Sequence, residues 1–329
     1  MSRPLSIVVV VLFACALLAG CGGDDGEEAG SKPPPAADPA EFPKANGQTL
    51  AALREGLGEG GPVLAPSVLD LTTGDNRFGF GLFERDRSQI ADASVVLYVA
   101  PAGGGAAKGP YVARYESLEV KPQFLSRISA QDPDSAKSVY VADIPFDKPG
   151  KYEVLGIARL DDRLVAATTA SGPITIVKPQ DDPVPRVGAP APRIHTPTKE
   201  DVGGDIASID TRIPPSTMHE ADFADVIGRK PVVLLFATPA LCQSRVCGPV
   251  VDIAEQVKAD HEGDADFIHM EIYRGNSIDK GFRPQVAAFG LPTEPWLFAI
   301  DRQGKVAARI EGPFSPGELE DALAKATKG

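Results

Sequence analysis

Two cysteines, Cys242 and Cys247, stand in the segment PALCQSRVCGP at positions 239–249, and these are the residues best placed to do chemistry. A thiolate is the nucleophile of disulfide exchange, and a positive charge or a helix N-terminus lowers the pKa at which it forms. Before the pair runs the apolar stretch KPVVLLFAT, 230–238; after it Val250, Ile253, Ala254 and Val257 recur at helical spacing. The thiols therefore fall at a strand-to-helix turn. Gln243, Ser244, Arg245 and Val246 separate them. In an unbroken helix, positions five apart have Cα atoms about 8.6 Å apart, whereas a disulfide needs less than about 7 Å. The spacing thus predicts that Cys242 precedes the helix or lies on a distorted turn. Arg245, inside the loop, would favour a thiolate. Cys15 and Cys21 belong to a different neighbourhood, and the four histidines, His195, His219, His261 and His269, are scattered. His195 falls in a linker, His219 and His261 on expected helix surfaces, and His269 in a strand.

The elements that must hold the pair read as α/β. Residues 230–238 make a buried central strand and 250–259 an amphipathic helix. A strand at 266–273, a short helix at 284–289 and a hairpin of 296–300 with 306–310 across DRQG follow. Ser315, Pro316, Gly317 and Glu318 form a capping box that opens the last helix. Upstream, residues 62–178 alternate short β-branched and aromatic runs with turn clusters such as TTGDN and DKPG, the pattern of an antiparallel sandwich. Strands are expected at 67–71, 77–83, 94–100, 111–120, 138–144, 151–159, 164–169 and 174–177. Thr49 to Leu57 has leucines at helical spacing. Residues 179–200, rich in proline, link the two parts. Residues 21–48 carry few apolar side chains and many Gly, Pro and acids, as a disordered acidic tether does. Residues 5–20 are an uncharged, mostly apolar run shorter than the roughly 20 residues of a spanning helix, and read as a signal peptide over 1–20.

Three family resemblances emerge from these segments. Leu18-Ala19-Gly20-Cys21 resembles the bacterial lipobox, which implies lipidation at Cys21 and a protein held by its lipid on the extracytoplasmic face of the cell membrane. PFDKPGKYEVLGIA resembles the strand corner of immunoglobulin-like domains, with Tyr152 in the place of the corner tyrosine. The strand, cysteine pair and helix, the lead-in VGAPAPRIHTPT, and FGLPTEPWLFAIDRQGKVAARIEG resemble the thioredoxin superfamily and its extracytoplasmic thiol-disulfide oxidoreductases. The expected fold class is multidomain: an all-β immunoglobulin-like sandwich at 49–178 and an α/β thioredoxin-like domain at 201–329. The resemblance also implies that Pro295 is the cis-proline that shapes a client's extended backbone, and that Glu294 beside it opposes a thiolate if it points at the sulfur. Spacing from Phe236 makes Cys242 the attacking thiol and Cys247 the resolving one. A rival alignment of Cys247-Gly248-Pro249-Val250 with the CGPC motif reverses the roles. The family's two-residue spacing is replaced by four, its usual tryptophan by Leu241 and its buried strand acid by Leu235.

Composition narrows the function further. Forty-five acids against 33 Lys and Arg give a formal charge of -12, which argues against nucleic acid as a partner. The expected activity is thiol-disulfide exchange on protein clients, with no bound cofactor or metal. Two other readings stay open: a non-catalytic binding or presentation lipoprotein with a structural disulfide, and a copper-handling protein of the Sco type, whose third ligand is a downstream histidine.

Overall fold

The computed structural model describes residue 34, residues 36–58 and residues 60–329. The leader at 1–20, the lipid-acceptor Cys21 and the first part of the tether lie outside the described residues. Among the described residues nine strands fill the N-terminal half: β1 (Val63–Pro66), β2 (Leu71–Thr72), β3 (Gly74–Phe83), β4 (Ser94–Pro101), β5 (Lys108–Ser117), β6 (Ser138–Phe146), β7 (Gly150–Leu160), β8 (Arg163–Thr169) and β9 (Ile174–Val177). Their order is β2-β9-β7-β4-β5-β6-β3-β1-β8, and β8 also pairs with β7. Seven strands, from β7 through β8, therefore close on themselves. β1 runs parallel to β8 and β2 parallel to β9, while the remaining ladders are antiparallel.

This closure corrects the expected sandwich. A sandwich keeps two sheets apart and packs them face to face, whereas here hydrogen bonds run right round a mixed barrel filled by Leu64, Phe78, Phe80, Leu97 and Tyr140. The closing strand β1 lies at 63–66, ahead of the strand expected at 67–71, and its parallel pairing with β8 joins residues about a hundred positions apart. Strand alternation reports which face is buried but not which distant strand lies alongside.

β4 is buried on both faces, because Val95, Leu97 and Val99 point into the barrel while Val96 and Tyr98 meet a second cover. That cover is the segment expected to be tether. Ala37, Phe42 and Ala45 are buried against Val96, Tyr98, Leu155 and Ile157, together with Leu53 of the short helix α1 (Leu50–Arg54). Residues 36–48 are thus packed on the barrel, their few apolar side chains spaced to reach one patch.

The C-terminal half has a separate four-stranded sheet of order β11-β10-β12-β13: β10 (Val232–Phe236), β11 (Asp266–Met270), β12 (Trp296–Ile300) and β13 (Val306–Glu311). β10 runs parallel to β11 and antiparallel to β12. Helices are few. Among the described residues only α4 (Cys247–Asp260) and α6 (Pro316–Lys328) exceed five residues; α2 (Arg127–Gln131), α3 (Phe223–Val226) and α5 (Pro284–Ala288) are single turns. The expected pairing of an immunoglobulin-like sandwich with an α/β thioredoxin-like domain is therefore replaced by a closed mixed barrel and a small mixed sheet. No described helix is long and apolar enough to cross a membrane.

The two halves share a core. Leu118, Val139 and Val141 of the barrel pack with Val233 and Leu235 of β10, Val250 and Ile253 of α4, and Leu319 and Leu323 of α6. Polar clamps reinforce the junction. Glu311 of β13 accepts hydrogen bonds from the backbone N–H groups of Leu69 and Asp70, at 2.9 and 2.8 Å. Glu318, part of the capping box that Ser315 forms as expected, accepts two bonds from Arg77 and one from Arg114. Close approach requires a glycine at one point: Gly312 has φ 78°, and a Cβ there would lie 2.5 Å from the backbone oxygen of Ser67.

Candidate active site

β10 ends at Phe236, and the chain then turns through residues 237–246 before α4 begins at Cys247. Thr238 organises the turn, its carbonyl accepting from the N–H groups of Leu241 and Cys242. Ala240 donates to the Thr211 hydroxyl at 3.1 Å, and that hydroxyl donates to Glu271 at 2.6 Å. Arg245 closes the turn in the left-handed region at φ 58°. Cys242 therefore precedes the helix, as its spacing from Cys247 requires, and Cys247 is the first helical residue. Both are unbonded thiols; Cys242 is half-buried and Cys247 fully buried.

The two sulfurs and a carboxylate oxygen of Glu294 lie within 4.8 Å of one another. Glu294 is carried there by the loop before β12, where the Glu294–Pro295 peptide is cis. Pro295 is thus a cis-proline, as the resemblance implied, and the residue before it brings its carboxylate to the thiols.

Cys242 and Cys247 are pushed in opposite directions. The Cys242 pKa falls to about 6, because the Cys247 thiol, the Ser244 hydroxyl and the backbone N–H groups of Cys247 and Val246 all favour its thiolate, outweighing burial. Ser244 Oγ lies 3.2 Å from Cys242 Sγ. The Cys247 pKa moves well above its ordinary value through burial, then through the neighbouring charges of Cys242 and Glu294. Glu294 rises to about 8, chiefly by burial and further by the Cys242 thiolate and Glu271. One of its oxygens is buried without a hydrogen-bond partner.

Arg245 does not act as its position suggested. Its guanidinium donates to Asp132 at 2.6 Å and Asp134 at 2.9 Å, so its charge is spent on the barrel's β5–β6 connection rather than on the sulfur. Glu294 opposes a thiolate as expected, its charge raising the pKa of Cys247, but Cys242 ionises before it does, so Glu294 is neutral when the attacking thiolate first forms.

Beneath the turn lies a buried cluster that the sequence reading did not assemble. Asp210 accepts from His219 at 3.0 Å, His269 at 3.2 Å, and the backbone N–H groups of Arg212 and Ser216. The other ring nitrogen of His269 donates to the Ala237 carbonyl at the end of β10. Burial works against both charges. Asp210 is nevertheless held well below the usual carboxylate range by its two histidines, and His269 is raised to about 9 by Asp210. His219, expected on a helix surface, is buried in a loop. The signal available was Asp210 and His219 flanking an otherwise uncharged stretch apart from Arg212, too loose to name a cluster.

Among the described residues two groups of donor atoms thus converge: Asp210 with His219 and His269, and Cys242 with Cys247 and Glu294. The first is held together by its own hydrogen bonds, with one atom, His219 Nδ1, buried without a partner. The second contains no histidine, so the third ligand of the copper reading is not supplied, and a hard carboxylate stands beside two soft sulfurs.

The site opens on two sides. Cys242 lines a hollow of about 390 Å³ with Pro239, Ala240, Ser129 and Pro249. Across the turn, Ser244, Val246 and Glu294 line a cleft of about 570 Å³ that continues onto the barrel.

Comparison with known proteins adds little to this geometry. The chain matches no protein-family model and no curated protein. Among solved structures it is similar to a thiol:disulfide interchange protein of the thioredoxin family from Chlorobium tepidum TLS, at 19% identity and a TM-score of 0.31, over 43% of this chain and 97% of that one.

Proposed function

We propose that the protein is a thiol-disulfide oxidoreductase in which Cys242 attacks and Cys247 resolves. The observation that carries this reading is the asymmetry of the pair: a half-exposed thiol with a pKa of about 6 beside a buried one driven well above 9. At neutral pH the first is a thiolate and the second retains its proton, the division of labour that exchange needs.

In the reducing direction the Cys242 thiolate attacks one sulfur of a client disulfide. A new S–S bond forms, the client's S–S bond breaks, and the second client sulfur leaves as a thiolate. The charge that had raised Glu294 is then gone, so its carboxyl can yield a proton to that thiolate. As a carboxylate, Glu294 takes the proton of Cys247. The Cys247 thiolate attacks Cys242 Sγ, the bond from Cys242 to the client breaks and the client's remaining sulfur leaves as a thiolate that water protonates; the client has gained the two electrons that the protein gave up in forming the Cys242–Cys247 disulfide. The reverse sequence oxidises a client.

The clients are protein thiols or disulfides, and the place of action is the extracytoplasmic membrane surface, to which a lipid on Cys21 would hold the chain. The placement rests on the sequence of residues 1–21. Trapping tests the activity: a Cys247→Ser variant should accumulate a mixed disulfide with a reducible protein substrate, and the additional change Cys242→Ser should abolish it. Absence of any mixed disulfide from Cys247→Ser, with the pair resisting dithiol reductants, would favour a structural role for the cysteines.

A further inference from the structure

The cleft beside the thiols has one wall from the thiol-bearing half and the other from the barrel. Val246, Thr293 and Glu294 face it from the turn and the cis-proline loop, while Pro66, Val68 and Phe83 face it from β1, its following loop and β3. The cleft is about 570 Å³ in volume, within the range of roughly 300–1,000 Å³ typical of ligand sites. Its lining contains three buried polar atoms without a hydrogen-bond partner: Ser67 Oγ, Ser138 Oγ and Glu294 Oε2. Ser138 is only 2% exposed. Unpaired polar atoms in a mostly apolar lining suit a ligand that brings its own donors and acceptors.

Charge marks one end. Arg87 and Lys137 both line the cleft, both are exposed, and neither has an ion-pair partner among the described residues. These two are the cations of the lining, whose acids are Asp134 and Glu294. The other cleft-lining acid apart from Glu294, Asp134, is already paired with Arg245.

We propose that this cleft is the client-binding groove and that it takes an extended acidic polypeptide segment. Cys242 itself opens on the hollow across the turn, so the client cysteine leaves the cleft past Ser244, whose Oγ lies 3.2 Å from Cys242 Sγ, to reach it, while an apolar neighbour packs against Pro66, Val68 and Phe83 and an acidic side chain meets Arg87 and Lys137. The inference rests on the exchange activity proposed above and assigns the barrel a part in it, as the selector of clients. An extended polypeptide matches all three features at once, since it offers backbone hydrogen-bonding groups, alternating side chains and a charge several residues from its cysteine.

The test uses the reduced full chain and two synthetic peptides that differ only in their flanks, Asp on one and Lys on the other, each with its cysteine in a mixed disulfide with 2-mercaptoethanol. Hydroxyethyl disulfide is the small substrate. With dithiothreitol regenerating the reduced chain and its direct reaction subtracted, the expected result is a kcat/KM roughly fivefold higher for the acidic peptide, as two exposed ion pairs provide, a preference that fades with added salt. In the double variant Arg87→Glu, Lys137→Glu the preference should reverse, and in Arg87→Gln, Lys137→Gln it should vanish. Phe83→Ala should lower the ratio of peptide to hydroxyethyl disulfide turnover through a higher KM. Equal rates on both peptides in all these proteins, with hydroxyethyl disulfide still reduced, would overturn the groove while leaving exchange intact. Failure to reduce any of the three substrates would overturn exchange itself, and the groove with it.

Discussion

Cys242 and Cys247 receive opposite pushes from one environment, and Glu294 is the residue that connects them. Its carboxyl is half-buried, ionises at about 8 and is raised partly by the Cys242 thiolate. It thus holds a proton at neutral pH while Cys242 is charged, and yields it more readily, though burial still holds its pKa up, once that charge enters a disulfide. Glu294→Gln keeps the shape and removes the proton traffic. Resolution of a preformed mixed disulfide should slow about a hundredfold at pH 7, the scale of general acid-base assistance, while initial attack by Cys242 is retained. The deficit should shrink above pH 8, because Gln also lacks the negative charge that pushes the Cys247 pKa up. Rapid-quench kinetics of the two steps would show it; equal resolution rates in both proteins would remove Glu294 from the mechanism. Cys242 and Cys247 stood out in the sequence by their place at a strand-to-helix turn, and Glu294 and Pro295 only through the resemblance of their segment to the thioredoxin superfamily. The fate of Arg245 was not legible, since Asp132 and Asp134, more than a hundred residues away, claim it. Ser244 was within reach of the sequence, two positions from Cys242, but a loop serine gives no sign of where its hydroxyl points.

At the scale of elements, β10 and β11 are locked behind the thiol turn by the buried Asp210, His219 and His269 cluster, through the bond from His269 to the Ala237 carbonyl. The His269 pKa of about 9 lies above its ordinary 6.5, so this contribution to stability is fully present below 6.5 and is lost as pH rises through 9. The Asp210 pKa is lowered, so its contribution is present above the ordinary 3.8 and is lost as pH falls through its folded value. Asp210→Asn leaves the buried imidazoles without their counter-charge and should cost about 3–5 kcal/mol. It should also flatten the decline in stability between pH 6.5 and 9, measured by urea denaturation at several pH values; a decline unchanged in the variant would contradict this assignment. The C-terminal strands, α4 and the capping box of α6 were readable because apolar alternation, helical spacing and Ser315 to Glu318 are local patterns. His219 and His269 were read separately, because a carboxylate nine positions from one and 59 from the other forms no motif.

At the scale of the whole molecule, the barrel and the small sheet meet through the β5–β6 connection, which ties the barrel to the helix that bears Cys247. Ser126 of this connection donates to the buried Asp252 of α4, Asp252 also pairs with Arg212, and Arg212 reaches back to the Phe124 carbonyl. The thiol turn is therefore braced by the barrel. Gly312 marks the closest approach on the other side of the junction. Gly312→Ala should destabilise the whole chain by at least about 1–2 kcal/mol, from the left-handed backbone alone, with the contact to Ser67 adding to it. One cooperative thermal transition shifted downward is the expected readout; loss confined to one of two separate transitions would argue that the halves do not share a core. The sequence divided the chain into a sandwich, a linker and a second domain because each stretch has its own composition. Closure of the barrel and its grip on α4 depend on pairings between distant residues, which composition does not encode.

The role of Cys242 as the attacking thiol is the claim on which the rest depends, and it left two alignments open at the level of sequence. Alkylation of the reduced protein by iodoacetamide across pH 4 to 10, with each site quantified by mass spectrometry, decides between them. Modification should fall on Cys242 with a midpoint near pH 6, leave Cys247 untouched until much higher pH, and shift its midpoint upward in a Cys247→Ala variant, where the largest support for the thiolate is gone. A midpoint near 9 for Cys242, or faster modification of Cys247, would contradict the account.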